Sequence, residues 1–136
     1  MSIPIRNLSG LILIIVVSFF LSACDAQQFN KKSHVIINNL IGDGIDLKLH
    51  CKSKDDDLGE HVIPYQGNYT INFRPNFWGT TLYFCSFQWQ NEFRQFDIYQ
   101  YARDYPFCQT CPWFIRAEGL CMLDKKERGI DICYKW

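Results

Sequence analysis

The sequence predicts a small all-β protein: an antiparallel β-sandwich of about eight strands, stapled by disulfides and preceded by a signal peptide. Three observations predict it. Short runs of alternating apolar and polar residues recur along the chain, separated by Gly, Pro, Asn and Asp clusters, the pattern of half-buried strands joined by turns. The 136-residue chain has seven cysteines, and an even set in a short secreted domain implies a disulfide framework. Leu11–Leu21 is an apolar run broken only by Ser18, with Arg6 the one charge before Asp25.

The apolar run comes first. A basic start, a short apolar core and then small residues describe a secretory signal peptide. The run falls short of the ~20 apolar residues a spanning helix needs. Cutting after Ala26 divides the chain into a leader, residues 1–26, and a single domain, residues 27–136. It also removes Cys24 and leaves Cys51, Cys85, Cys108, Cys111, Cys121 and Cys133. Three bridges are expected, and spacing alone does not choose among the connectivities. A domain of this size buries roughly 65% of its unfolded surface, so bridges at about 2–4 kcal/mol each matter to it.

The strands follow in order. His34–Leu40 and Ile45–Cys51 flank Gly42–Gly44, and the spacing predicts a hairpin of the two. Lys52–Gly59 (KSKDDDLG) reads as a charged loop. His61–Ile63 is a short strand ended by Pro64, and Tyr69–Phe73 is the next, with Tyr69, Ile71 and Phe73 on one face. The richest stretch is Asn76–Trp89, NFWGTTLYFCSFQW. Here Tyr83, Cys85, Phe87 and Trp89 share one face, and Leu82 and Phe84 open the other. A central strand is predicted, buried on both faces early and half-exposed later. Phe93–Tyr101 returns from the Asn91–Glu92 turn and breaks at Asp104–Pro106. Cys111–Ala117, Leu120–Leu123 and Ile130–Trp136 complete the set, with Asp124–Gly129 as a solvated turn.

Four segments carry a resemblance: His50–Gly59 (HCKSKDDDLG); Asn76–Cys85 (NFWGTTLYFC) with Phe87 and Trp89; Phe96–Tyr99 (FDIY); and a tail marked by Cys111-x-Trp113-x-Ile115, Gly119-x-Cys121 and Cys133-Tyr134-x-Trp136. With these the sequence closely resembles the plant self-incompatibility protein family, the S-protein homologues, over His34–Trp136. The resemblance implies a small secreted plant protein with a β-sandwich fold. It also implies a ligand for a cell-surface receptor, acting in pollen–pistil self-incompatibility or in another developmental or defence setting. A plant origin makes the lipoprotein-like Leu21–Cys24 accidental. Leu120 stands before Cys121 where relatives often have Pro, which bears only on that turn.

The chemistry-bearing groups bound the function further. Fourteen basic residues balance fourteen acidic ones, which offers no electrostatic grip on nucleic acid or an anionic membrane. Cys108 and Cys111 form a C-x-x-C. It could be a redox pair or half a zinc site, but no second pair of matched spacing exists, and two half-cystines with separate partners are expected. His34, His50 and His61 lie at strand edges or on polar faces and read as solvent-exposed. Asp55, Asp56 and Asp57 lack the spaced ligands of a calcium loop. With Lys52 and Lys54 they form the candidate partner-binding loop. Asn68-Tyr69-Thr70 fits the N-glycosylation rule. Trp89 and Trp113 read as core, and Trp78, beside Gly79, as exposed.

The sequence reading is therefore a secreted, extracellular, non-enzymatic ligand that uses no cofactor or metal. Its partner is a cell-surface receptor protein. After leader removal no stable membrane insertion is expected, and the state is monomeric. Gly42–Gly44, Tyr101–Pro106 and Asp124–Gly129 are further candidate loops. One alternative is an extracellular carbohydrate-binding module using Trp78. Another is a thiol redox protein using Cys108 and Cys111.

Overall fold

The structure, a computed structural model, describes residues 10, 12–18, 31–124 and 130–136. The chain divides into two units, Met1–Lys31 and Lys32–Trp136. In the first, residue 10 and residues 12–18 are helical and solvent-exposed. Among the described residues no helix is long and apolar enough to cross a membrane. The expected cleavage after Ala26 falls outside the described residues, as do residues 125–129 of the expected solvated turn.

Among the described residues the second unit is all-β apart from one helical turn, with nine strands: β1 Ser33–Asn39, β2 Leu47–Lys52, β3 Asp57–Ile63, β4 Asn68–Phe73, β5 Leu82–Trp89, β6 Glu92–Gln100, β7 Thr110–Ile115, β8 Gly119–Asp124 and β9 Ile130–Lys135. One sheet runs β4-β1-β7-β8-β9 and the other β3-β2-β5-β6. Alternation decides which side chains lie between them. In β5, Tyr83, Cys85, Phe87 and Trp89 are buried and the residues between them are not. A slip of one residue would turn all four outward. Each large apolar side chain is worth about 1.5–3 kcal/mol when buried, so the register is firmly set.

Four expectations are corrected. First, β1 and β2 are not a hairpin, because they lie in different sheets. Asn39, fully buried, directs the crossover. Its Nδ2 donates to the carbonyls of Ile45 (2.8 Å) and Ile63 (2.9 Å), and its Oδ1 accepts from the Ile41 N–H (3.0 Å). Second, the sandwich is not antiparallel throughout. β1 and β7 pair in parallel, His34 opposite Thr110 through Asn39 opposite Ile115. A parallel pair needs a long crossover, and β2 to β6 supply it. Third, the outer face of β5 is open: Leu82 and Phe84 are 40% and 43% exposed. Fourth, Tyr101 ends no strand. Tyr101–Asp104 is a single helical turn between β6 and β7.

Candidate functional site

Two loops meet at one end of the sandwich. Residues 53–56 link β2 to β3, and residues 74–81 link β4 to β5. Between them lies a cavity of about 430 Å³, lined by Ser53, Lys54, Asp55, Asp56, Arg74, Asn76, Thr80, Thr81 and the β5 residues Leu82, Tyr83 and Phe84. The Cys51–Cys85 disulfide sits at the roots of both loops. Cys51 lies opposite Cys85 in the β2–β5 ladder. One bridge thus ties the exit of β2 to the start of β5.

The 53–56 loop is a tight turn. Ser53 N–H donates to the Asp56 carbonyl (2.8 Å), and Asp56 N–H returns a bond to Ser53 Oγ (3.1 Å). That turn presents Lys54, Asp55 and Asp56 to solvent. None of the three, nor Arg74 across the cavity, has an ion-pair partner among the described residues. Tyr83 stands beneath them. Burial raises its phenol pKa, contact with Ser53 offsets part of the rise, and the charge of Asp56 adds to it.

The expected loop Lys52–Gly59 is shorter than the sequence suggests. Lys52 closes β2 and Asp57 opens β3, with a bulge between His50 and Lys52 that brings Lys52 opposite Asp57. Asp57 is engaged within the fold. It pairs with His50 Nε2 at 2.5 Å, accepts the Gly59 N–H at 2.9 Å, and lies 3.9 Å from Lys52 Nζ. The His50 bond, then the Gly59 N–H, hold its carboxyl below the usual carboxylate range. Of the five predicted loop residues, Lys54, Asp55 and Asp56 line the cavity, whereas Asp57 is tied to both His50 and Lys52.

The 74–81 loop is braced from within. Asn76 Oδ1 accepts the Thr80 N–H (3.0 Å), Asn76 Nδ2 donates to Thr80 Oγ1 (2.9 Å), and Asn76 N–H donates to Thr81 Oγ1 (2.7 Å). Gly79 has φ +71°, and a Cβ there would lie 2.8 Å from the Tyr101 ring. Only glycine meets both demands without strain. Tyr101 is itself fixed, stacked on Tyr105 at 4.5 Å, and its N–H bonds the Thr81 carbonyl at 3.1 Å. This frame holds Phe77 and Trp78 in open solvent, 70% and 80% exposed, with their rings edge to face. Trp78 is the exposed tryptophan that its position beside Gly79 predicts. Trp89 and Trp113 are core, and Trp136 anchors β9 through its Nε1 bond to the Arg116 carbonyl (2.9 Å).

Elsewhere the sequence signals resolve as follows. Cys108 and Cys111 are bonded to each other, not to separate partners. Cys108 N–H bonds the Asp104 carbonyl (2.8 Å), so the short ring folds the link between the helical turn and β7. The pair opens a strand, without the helix N-terminus that depresses a thiolate pKa in redox pairs. Cys121 bonds Cys133 across the β8–β9 ladder. The histidines are scattered. His34 meets Asn72 Oδ1, His50 meets Asp57, and His61 bonds the Leu58 carbonyl and stacks on Tyr69. Asn68 and Thr70 are exposed on β4, an edge strand.

Sequence reasoning missed Arg103 and Asp104. Asp104 is fully buried and takes a two-pronged bond from Arg103, at 2.8 Å to each oxygen. The guanidinium lies over the Phe96 and Trp113 rings at 5.3 and 5.1 Å. Only the adjacent Arg-Asp before Tyr-Pro hinted at it. Arg103 borders an open cavity of about 590 Å³ whose wall includes Gln95, Asp97, Gln100 and Tyr134.

The plant self-incompatibility protein S1 family matches residues 34–136, the whole sandwich less its first strand residue. The chain belongs to that family. S-protein homologues of Arabidopsis thaliana support the assignment. S-protein homolog 5 is 47% identical over 108 residues, covering 79% of this chain and 80% of its own. S-protein homolog 2 is 38% identical over 156 residues, covering 100% and 97%. A solved S-protein homologue structure, from a family described as small, highly stable, secreted plant proteins, matches with a TM-score of 0.56 at 20% identity. It covers 78% of this chain and 97% of that one, a likeness of fold. The S1-family sandwich therefore carries the 53–56 and 74–81 loops at one end and Asn68 at the other end of β4.

Proposed function

We propose that this family member is a secreted, monomeric, non-enzymatic ligand that binds a cell-surface receptor protein through the loop end described above. The leader, residues 1–26, is removed on secretion. The observation that carries the reading is the joint presence, on braced loops, of two exposed aromatics and four charges without ion-pair partners. Aromatic anchors ringed by polar groups are the usual makeup of binding hot spots. Loops held rigid before binding avoid the ordering cost of about 0.5–1.5 kcal/mol per side chain. The biological setting is pollen–pistil self-incompatibility or another developmental or defence context.

Asn68 fits the same reading. Its side chain is exposed at the first residue of β4, and the 74–81 loop leaves from the last. The two are about 17 Å apart along the strand at ~3.3 Å per residue. A glycan at Asn68 therefore leaves the binding end clear. It also covers an open sheet edge, which otherwise invites pairing with another chain.

The test is binding of fluorescently labelled, plant-secreted protein to living plant cells, pollen tubes included. The triple change Asp55→Asn, Asp56→Asn, Trp78→Ala is compared with Asp43→Asn, on the loop between β1 and β2. Saturable binding that falls at least tenfold in the triple variant alone, and that is abolished by shaving the cells with protease, supports the reading. Equal binding by the triple variant removes it. Intact mass before and after deglycosylation reports the leader cut and Asn68 together. Alkylation of Cys108 and Cys111 without prior reduction would favour thiol chemistry instead.

A further inference from the structure

We infer that the cavity between residues 53–56 and 74–81 is a binding site for a neutral, hydroxyl-rich carbohydrate, and that Trp78, which lies on the 74–81 loop outside the cavity lining, offers a stacking face next to it. The inference shares the loop end of the receptor reading but concerns a small ligand bound without any partner protein, so a sugar titration of the isolated protein can fail while cell binding holds, and the reverse. Three observations carry it. The cavity, at about 430 Å³, falls within the range of about 300–1,000 Å³ typical of small-ligand sites. It is lined by both signs of charge in equal number, Lys54 and Arg74 against Asp55 and Asp56, with the hydroxyls of Ser53, Thr80 and Tyr83 among them. The loop that supplies Asn76, Thr80 and Thr81 to the wall carries Phe77 and Trp78 into solvent.

Each feature meets one property of a sugar. A pyranose has a ring of C–H groups on one face and hydroxyls around its rim. The C–H face is apolar enough to lie on an indole, whose π-face is electron-rich and attracts the slightly positive hydrogens. Carboxylates accept from paired hydroxyls, and a guanidinium donates to them in a planar fork. The balance of charge argues for a neutral ligand. A uronate would meet Lys54 and Arg74 but also the two aspartates, and a cation would meet the converse. Asp55 and Asp56 have no ion-pair partner among the described residues, so their acceptor oxygens face water until a ligand arrives. The brace from Asn76 to Thr80 and Thr81 fixes the platform beforehand.

The experiment titrates the secreted, intact protein with neutral β-1,4-glucan, xylan, mannan and galactan oligosaccharides, followed by calorimetry and by amide NMR. An oligogalacturonide serves as the acidic comparison. Saturable binding of a neutral oligosaccharide is expected, with shifts at the amides of residues 53–56 and 76–81. Trp78→Ala should weaken it about tenfold or more, Asp56→Asn should weaken it, and Trp78→Tyr should restore part of the loss. Phe93→Ala, an exposed aromatic elsewhere on the sandwich, should leave it unchanged. At 80% exposure Trp78 supports no core, so the variant stays folded, and an unchanged near-ultraviolet spectrum checks this. The inference is overturned by any one of three results: no saturable binding at millimolar sugar, binding indifferent to Trp78→Ala, or binding of the oligogalacturonide alone.

Discussion

Replacing Asp104 with Ala should be among the most damaging single changes to this fold. The carboxylate is fully buried and accepts three hydrogen bonds, from Arg103 Nε and Nη2 at 2.8 Å each and from the Gln100 N–H at 2.9 Å. Arg103 also donates to the Asp97 carbonyl at 3.0 Å, so its guanidinium stays in place when its partner goes. Asp104→Ala therefore leaves a largely buried cation without its carboxylate, and the part-buried Gln100 N–H without this acceptor. Breaking such a pair costs about 3–5 kcal/mol. The lost N–H bond adds to it, though not in full, because the groups share one network. We expect a loss of about 4 kcal/mol, against about 5–15 kcal/mol for a whole domain. In urea, with a slope of about 2 kcal/mol per molar, the midpoint falls by about 2 M. The double variant Arg103→Met, Asp104→Ala should be markedly more stable than Asp104→Ala, because it also removes the stranded cation. A single variant within about 0.5 kcal/mol of the parent at equal slope would refute the reasoning. So would a double variant no better than the single. The effect should also reach the 74–81 loop: Tyr101, in the same helical turn, underlies Gly79, so the Gly79 and Thr80 amides should exchange faster in Asp104→Ala.

Four further outcomes follow from the same geometry. Gly79→Ala places a Cβ 2.8 Å from Tyr101 at φ +71°, and a loss of about 2 kcal/mol is expected, read as a drop of roughly 10 °C in Tm. Asn39→Ala leaves the carbonyls of Ile45 and Ile63 and the Ile41 N–H without their partner. It should cost about 3 kcal/mol in a urea titration. Burial pushes the Tyr99 phenol up to about 12, so the folded state keeps a proton that the unfolded chain loses near 10. That stability is fully present below pH 10 and is lost as pH rises through about 12, which urea midpoints at about pH 9 and pH 11 should show. Asp57 is shifted the other way, below its ordinary 3.8. Its contribution is present above that value and fades as pH falls through the lowered one. Protection of the Gly59 amide, measured against its intrinsic exchange rate, should fall only in that acid range, and the acid step should vanish in Asp57→Asn.

The layers were legible because period-two alternation is a local signal. Tyr83, Cys85, Phe87 and Trp89 announce an inner face without knowledge of any neighbour. The pairing of strands was not legible, because it depends on contacts far apart in sequence. Asn39 decides the β1–β2 crossover, yet in the sequence it is one polar residue beside a glycine turn. The parallel β1–β7 pair is equally hidden, since each strand reads the same in either direction. Asp57 looked like the third member of an acidic loop, and only the fold shows it held by His50. The exposure of Trp78 could be read from its place beside Gly79. The second wall of the site could not, because Arg74 and Thr80 join Asp55 and Asp56 only once β2 and β5 lie side by side.

The disulfides then explain how so small a sandwich keeps that end in order. By loop closure, Cys51–Cys85, Cys121–Cys133 and Cys108–Cys111, with separations of 34, 12 and 3, contribute about 4, 3 and 2 kcal/mol. The bridge with the largest share is the one at the roots of both candidate loops. It stabilises the sandwich and fixes the spacing of the two walls at once. Cys108–Cys111 does less for global stability and more for shape, since it folds the chain beneath the helical turn that carries Tyr101, and Tyr101 supports Gly79. Two of the three bridges thus act on the same end of the molecule. Loop closure stabilises the fold wherever a bridge lies, by an amount set by the loop it closes; these two bridges also fix the frame of the Phe77–Trp78 loop.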